Sequence, residues 1–474
     1  MRWNRLGGAA ALLGAAACAA GTHASRPPAD LPVIRRATIA SKFEGDFEAR
    51  LATADPGRKV VALVDLTDQL DLASYVRGLR GSKAARREAV VAALDAVAHR
   101  QQARIRPEID RLLDEGTLGY ARSVTIVNRY VVEGTPAALR AIARREEVWR
   151  LRPDWTSERA AAGRQQHRDA PTATASFPSW APASMKADTL WARGLRGRGI
   201  VVATIDTGAF EAHEQLQGRR VEGERGWFDP VEGTSAGTDR HGHGTGVLAQ
   251  AVGGNPDGRV MGIAPEARWA AAVGNWRNFY SRSRMTLAAD WVLRVARPDV
   301  LINAWSNDEG PCSDFDRPFI DAWKASGIFV VFPAGNGGPG PATGESPAQL
   351  DAVLSVGALT RDGGADPSSS RGPSRCGSHG FPSLAAPGSD LPIALPGGTR
   401  AYATGEGTSL SAGLIGGAAA LLLSAAPETD PDTLERALVR SSRDIAPAGP
   451  DDATGAGAVD LEVALALVLG DTPR

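Results

Sequence analysis

Three glycine-rich turns of this chain carry an aspartate, a histidine and a serine that together could do nucleophilic catalysis. "GTSLSAG", residues 407–413, sets Ser409 beside a turn and just ahead of the apolar run "LIGGAAALLLSAA". Taken by itself this is an ordinary capping arrangement, because serine and threonine cap helices and glycine turns chains. "DRHGHGTGVLAQAV" sets His243 between glycines before another apolar run, and "VVATIDTG" ends an apolar stretch in Asp206. A serine hydroxyl is scarcely ionised near neutral pH and needs an adjacent base. A histidine can take that proton and return it to a leaving amine, and an aspartate can hold the imidazole in the right tautomer. Aspartate, histidine, serine is one of the known chain orders of such a triad. The competing reading is a metal site from Asp239, His241 and His243, although no further histidine or cysteine cluster completes a coordination shell.

Side chains that react together need rigid elements to hold them. From Gly199 onward "GIVVATI", "DVLINAW", "GIFVVFPA" and "DAVLSVGA" are short, nearly continuous apolar runs, the kind buried on both faces of a parallel sheet. "RMTLAADWVLRVA" and "RPFIDAWKAS" between them have helical spacing, so residues 186–474 read as an α/β domain with a doubly wound parallel sheet. In such sheets chemistry sits at the carboxyl ends of the strands, where Asp206 falls. Upstream, "RKVVALVDL" at 58–66 predicts a strand. Val90, Leu94, Val97, Ile105, Ile109 and Leu112 predict one face of a long helix that Pro107 kinks or divides. "SVTIVNRYVVEG" predicts one or two strands, "TPAALRAIARRE" a helix capped by Thr135 with Pro136 first, and "VWRLRP" a last strand. Residues 26–152 thus read as a small α+β domain, its strands covered on one face by helices. Residues 153–185 are rich in small, polar and proline residues, and read as an exposed linker and protease target.

The 474 residues hold 53 lysines and arginines against 54 acidic residues, and a net charge of -1 gives no reason to expect a nucleic-acid partner. Residues 1–25 combine Arg2 and Arg5 with a short apolar stretch and small residues, the pattern of a secretory signal. Cys18 after "LLGAAA" resembles the lipobox of bacterial lipoproteins, but with Ala15 where leucine is usual, so lipid attachment at Cys18 and ordinary cleavage near Ala24 both stay open. The first is the only membrane contact the sequence suggests. Past the signal only Cys312 and Cys376 remain, either as one disulfide or as two thiols.

The motifs "TIDTG", "GHGTGV", "PAGNGG" and "GTSLSAG", in this order on an α/β frame, resemble those of the subtilisin-like serine proteases, or subtilases. "SSRGPS", "LAAPG" and "GAGAVDL" also fall where subtilases carry similar sequences, and the resemblance spans roughly residues 186–465. "RKVVALVDL", "HRQQARIRPEIDRLLDEG" and the segment from "VTIVNRYVV" to "VWRLRP" are similar to the prodomain of bacillopeptidase F-like subtilases. The resemblance implies an exported serine endopeptidase made as a self-processed zymogen. Ser409 would be the nucleophile, His243 the base, Asp206 its orienting partner, and Asn336 an oxyanion donor together with the Ser409 N–H. It further implies polypeptide substrates, the prodomain as an intramolecular inhibitor, cleavage within 153–185, and no cofactor for the chemistry. Subtilases often bind calcium, but no acidic loop here has a spacing that marks a site.

The substrate-binding residues implied by the same resemblance are Trp305, Ser306, Asn307, Ala334 and Gly335. "NAWSN" departs from the subgroup's "NNSWG": in an ungapped alignment Trp305 replaces a small residue and Asn307 a pocket-opening glycine, unless the register shifts locally. Gly413 stands where subtilases usually carry proline, and Gly246 where histidine is common; neither change removes a catalytic atom. These departures keep a second reading open, a surface protein that binds peptides with little turnover. An esterase would use the same triad, but the Gly-x-Ser-x-Gly elbow is missing. The N-terminal domain could equally be permanent, on a flexible tether.

Overall fold

Alternation in "VVALVDL" sends Ala62, Val64 and Leu66 to one side of a strand and Leu63 to the other, and both sides find apolar partners. The computed structural model describes residues 31–471 apart from 38, 40, 155, 158–174, 256, 276–279, 308 and 446. Residues 1–25, with Cys18, where a secretory signal is expected, lie outside the described residues. Strand β1 (Val60–Leu66) is joined by β2 (Leu118–Val124), β3 (Arg129–Gly134) and β4 (Val148–Pro153) in an antiparallel sheet of order β2-β3-β1-β4. Helix α1 (Lys83–Asp114) starts on a Ser82 cap. It continues unbroken through Pro107, which corrects the expected division. Ile105, Ile109 and Leu112 straddle the proline and pack on the sheet with Ala62 and Val64, and that burial holds the turn together. Helix α2 (Pro136–Ala143) has the expected Thr135 cap and Pro136 at its start.

The second unit is built on a seven-stranded sheet, all of whose pairings are parallel. Its strands are β5 (Val201–Asp206), β6 (Trp227–Phe228), β7 (Arg268–Val273), β8 (Val300–Ile302), β9 (Phe329–Pro333), β10 (Leu354–Leu359) and β11 (Leu384–Pro387), in the order β11-β10-β9-β8-β5-β7-β6. Val202, Trp269, Ile302 and Val331 face one core, with helices α3 (His243–Val252) and α6 (Thr408–Ala425). Ala203, Ala270, Leu301 and Phe332 face the other, with α4 (Arg282–Trp291) and α5 (Arg317–Ala325). The continuous apolar runs are therefore explained by burial on both faces, as a doubly wound α/β sheet requires. By length and composition α6 could cross a membrane, but it is the central core helix, with most of its residues buried.

The N-terminal sheet lays its second face on the second unit. Leu63, Val124 and Val131, with Val90, Val91 and Leu94 of α1, share a core with Ala288, Ala289, Phe319 and Trp323. The Asp290 carboxylate accepts from the N–H groups of Thr125 and Ile126 at 3.0 and 2.9 Å. Buried charges line the same seam: Asp65 pairs with Arg129 and, at 2.7 Å, with Arg152, while Arg282 pairs with Glu309 and Glu44. The Phe315 ring lies under three of these guanidinium groups, 4.9 Å from Arg129, 4.9 Å from Arg282 and 5.8 Å from Arg152.

Both ends of the expected 153–185 linker are built into the fold, which corrects its boundaries. Asp154 accepts from Ser281 and Ser283, and Thr156–Ser157 pair antiparallel with Tyr280–Ser281. At the other end Ala181–Ser184 form a short helix, Ala181 and Met185 are buried in the core of the second unit, and the Trp180 indole donates to the Ser389 carbonyl at 3.1 Å. Apolar residues at the end of a polar stretch found a core to enter.

Candidate active site

Asp206 is the last residue of β5 and is fully buried at the carboxyl edge of the sheet. Its Oδ1 lies 2.7 Å from His243 Nδ1 and accepts the Thr207 N–H at 2.7 Å. An ionised carboxylate only accepts, so Nδ1 carries the proton and Nε2 is left as the basic nitrogen. Burial alone would push the His243 imidazole down, but the charge and hydrogen bond of Asp206, with Asp239 behind, hold it above its ordinary value.

His243 opens α3, and the loop before it is held by Asp239. One Asp239 oxygen accepts from Thr207 Oγ1 (3.0 Å) and the N–H groups of His241 (2.9 Å) and Gly242 (2.8 Å). The other accepts from the N–H and hydroxyl of Thr245 at 3.0 and 2.7 Å. Thr207 Oγ1 in turn accepts the Gly244 N–H at 2.9 Å. Asp239 and Thr207 therefore satisfy the exposed amides of the helix start and tie the histidine loop to the aspartate loop. The metal reading of Asp239, His241 and His243 is corrected by this: the Asp239 oxygens serve as a cap, and among the described residues no three His, Cys, Asp or Glu side chains gather as a ligand set. Read alone, the sequence did not disclose this cap; the signal that could have found it is an aspartate just upstream of a Gly-flanked helix start.

Ser409 is the second residue of α6, reached through Gly407 at φ +131°. Its buried hydroxyl sits in the first turn, where free N–H groups and the helix dipole favour a developing negative charge. After β9 the chain passes through Ala334 and Gly335 (φ +110°) to Asn336. Asn336 Oδ1 accepts both the N–H and the hydroxyl of Thr408 at 2.9 Å, and Gly335 N–H donates to the same hydroxyl at 3.3 Å. Thr408, which the sequence did not single out, thus fixes the acceptor end of the asparagine. Strand β5 packs on α3 and α6, which also pack on each other, so the elements carrying Asp206, His243 and Ser409 meet, and Asn336 is tied to Thr408 beside Ser409.

The substrate-binding strand differs from expectation. Trp305 does not line an open pocket: it is 1% exposed, with Phe332 at 5.2 Å and Tyr280 at 5.9 Å between ring centres. Ser306 is also buried. Asn307 is a tie rather than a pocket wall, donating to Asp316 at 2.8 Å and accepting the Glu309 N–H at 3.2 Å. Asp316 also accepts from the Tyr280 hydroxyl at 3.1 Å, and burial, reinforced by nearby Glu309, raises its carboxyl to about 7. Ala334 is buried, and its N–H is bonded to the Val356 carbonyl. Cys312 and Cys376 form a disulfide, with Cα atoms 5.3 Å apart.

Among the described residues no group of three His, Cys, Asp or Glu side chains offers calcium an acidic cage. Where main-chain carbonyls do converge, the cation is the chain's own: Arg219 donates to Pro265 (2.8 Å), Gly254 (3.2 Å), Ala267 (3.4 Å), Val252 and Gln215. Burial lowers this guanidinium to about 10.

A parallel α/β sheet with an Asp–His pair at its carboxyl edge and a serine at the head of a core helix defines a class, the subtilisin-like serine endopeptidases. Residues 197–457 match the model of the subtilase family, and the chain belongs to that family. It is 28% identical to Bacillopeptidase F of Bacillus subtilis over 411 residues, 79% of this chain but 28% of that protein. It is 30% identical to Serine protease AprX of Bacillus subtilis, covering 56% of this chain and 66% of that one. Subtilisin DY of Bacillus licheniformis is 29% identical, with 59% of this chain and 96% of the relative aligned.

Proposed function

We propose that this chain is an exported serine endopeptidase made as a zymogen, with Ser409 as nucleophile. The observation that carries the reading is the buried 2.7 Å contact between His243 and Asp206. Ser409 attacks the peptide carbonyl while His243 Nε2 takes its proton; His243 then protonates the leaving amine, and water repeats the sequence to release the acyl group. Asp206 holds the tautomer and stabilises the imidazolium. The Ser409 N–H and Asn336 NH₂ receive the oxyanion. Each step uses the chain's own groups and calls for no cofactor.

The N-terminal unit acts as prodomain and inhibitor in this proposal, supported by its docked sheet and by Thr156–Ser157 on the Tyr280–Ser281 edge. Secretion is supported by the sequence of residues 1–25, and lipid attachment at Cys18 is an alternative fate of the same segment. The departures that suggested a mere binding protein are absorbed by packing at Trp305 and Asn307, so that reading gains nothing.

The test is expression of the full chain beside Ser409→Ala, with a covalent serine-hydrolase probe and intact-mass analysis. Labelling and cleavage between residues 154 and 181 in the parent, with neither in the variant, is the expected result. An unlabelled, uncut parent overturns the proposal.

A further inference from the structure

The wall beside the proposed oxyanion site carries an acid. A Cβ added to Gly335 would lie 3.4 Å from both Cγ and Cδ of Glu345 and 2.8 Å from Ser370 Oγ. The Glu345 carboxyl group therefore rests against the bare face of the residue preceding Asn336. Its loop is held firmly. Ser370 Oγ donates to Thr343 O at 2.9 Å and accepts the Gly337 N–H at 3.0 Å. Gly344 O accepts from Gln349 at 2.7 Å and Arg375 at 2.8 Å, and the Cys312–Cys376 disulfide anchors the neighbouring turn. Gly335 immediately precedes Asn336, so this acid lies beside the residue next to the proposed oxyanion donor.

The geometry points to Glu345 as a specificity-determining residue that selects arginine or lysine immediately before the scissile bond, an inference that rests on the endopeptidase reading above. A half-buried carboxylate attracts a cation more strongly than it would in water, and a guanidinium can meet it with two parallel hydrogen bonds. An apolar side chain in the same place strips water from the carboxylate and gives nothing back, so the acid also rejects.

The chain's own sequence supports the choice independently. From Thr156 to Ser176 there is no Val, Ile, Leu, Met, Phe, Tyr or Trp, while the long side chains include Arg159, Arg164 and Arg168. Between Trp155 and Phe177 a pocket built for a large apolar residue finds nothing to bind. A pocket walled by a carboxylate finds three candidates.

Two peptides that differ only in carrying Arg or Leu before the scissile bond test this on the full chain, as kcat/KM ratios within one preparation, so that a partly inactive sample cancels. The parent is expected to favour Arg by about tenfold or more, Glu345→Gln to lose most of that ratio, and Glu345→Arg to shift preference toward a Glu peptide. The mature N-terminus of the parent should follow Arg159, Arg164 or Arg168. A ratio near one in the parent, or one that survives Glu345→Gln, overturns the selector; Ser409 labelling by the serine probe in the same sample then leaves the endopeptidase reading standing. No labelling and no cleavage of either peptide overturns both.

Discussion

At the scale of single residues, two opposing effects on one imidazole make a sharp prediction. Burial lowers the pKa of His243, and the adjoining Asp206 charge and hydrogen bond raise it further than burial lowers it. In its proposed role as base His243 must be neutral to accept the serine proton, so kcat/KM should rise with pH through an apparent pKa above the ordinary 6.5 and fall away below it. In Asp206→Asn the burial effect wins, and the apparent pKa should drop below the parent's. The rate should fall on the order of 10⁴-fold, a size taken from measurements on subtilisin and trypsin-type enzymes rather than from this structure. A pH–rate profile of both forms checks the sign as well as the size, and an unmoved pKa would show that Asp206 does not set the charge of His243. Asp206, His243, Ser409 and Asn336 stand out in the sequence as candidates because each sits in a short motif with its own chemistry. Asp239 and Thr408 do not stand out as caps, because a cap is recognised by the N–H groups it meets and those are set by the fold.

At the scale of elements, packing decides what propensity cannot. Gly413 and Gly246 both lie inside helices, where alanine is favoured over glycine by about 1 kcal/mol. At Gly413 a Cβ would sit 2.6 Å from the Val247 carbonyl of α3, a backbone atom that cannot turn aside. At Gly246 the nearest atom would be 3.7 Å away, an ordinary contact. Gly413→Ala should therefore destabilise by about 1–3 kcal/mol as α6 is pushed from α3. Gly246→Ala should be neutral or stabilising by about 0.5–1 kcal/mol. Urea unfolding of the Ser409→Ala form, with and without each change, measures the difference, and equal effects would show that helix contact is not what keeps Gly413 small. The same competition explains which elements were legible. Apolar runs such as "GIFVVFPA" announce buried strands, but Pro107 suggested a break that packing of Ile105, Ile109 and Leu112 on the sheet prevents. In "NAWSN", period and composition could not show that Trp305 points inward.

At the scale of the whole molecule, the two units meet over buried carboxyl groups whose protonation runs in opposite directions. Asp65 is pushed up by burial but pulled further down by Arg129 and Arg152, so it is held below its ordinary 3.8. Its contribution is present above that value and is lost as acid protonates it. Asp316, buried beside Glu309, is raised to about 7, with Arg282 and the hydrogen bonds of Asn307 and Tyr280 only partly offsetting this. Its proton is held more tightly folded than unfolded, so its contribution is complete below about 3.8, declines as pH rises, and levels off above about 7. Asp316 reaches the seam through Tyr280, whose strand carries Thr156–Ser157 and whose neighbour Ser281 holds Asp154. The docked molecule should thus be most stable in mild acid and lose stability toward neutral pH, by up to about 1.4 kcal/mol per pH unit for one such group. Thermal unfolding of full-length Ser409→Ala between pH 4 and 8 should show that decline, and adding Asp316→Asn should flatten it by removing the titrating proton. A decline of the same slope in both proteins would place the pH dependence elsewhere and leave Asp316 a passive member of the core.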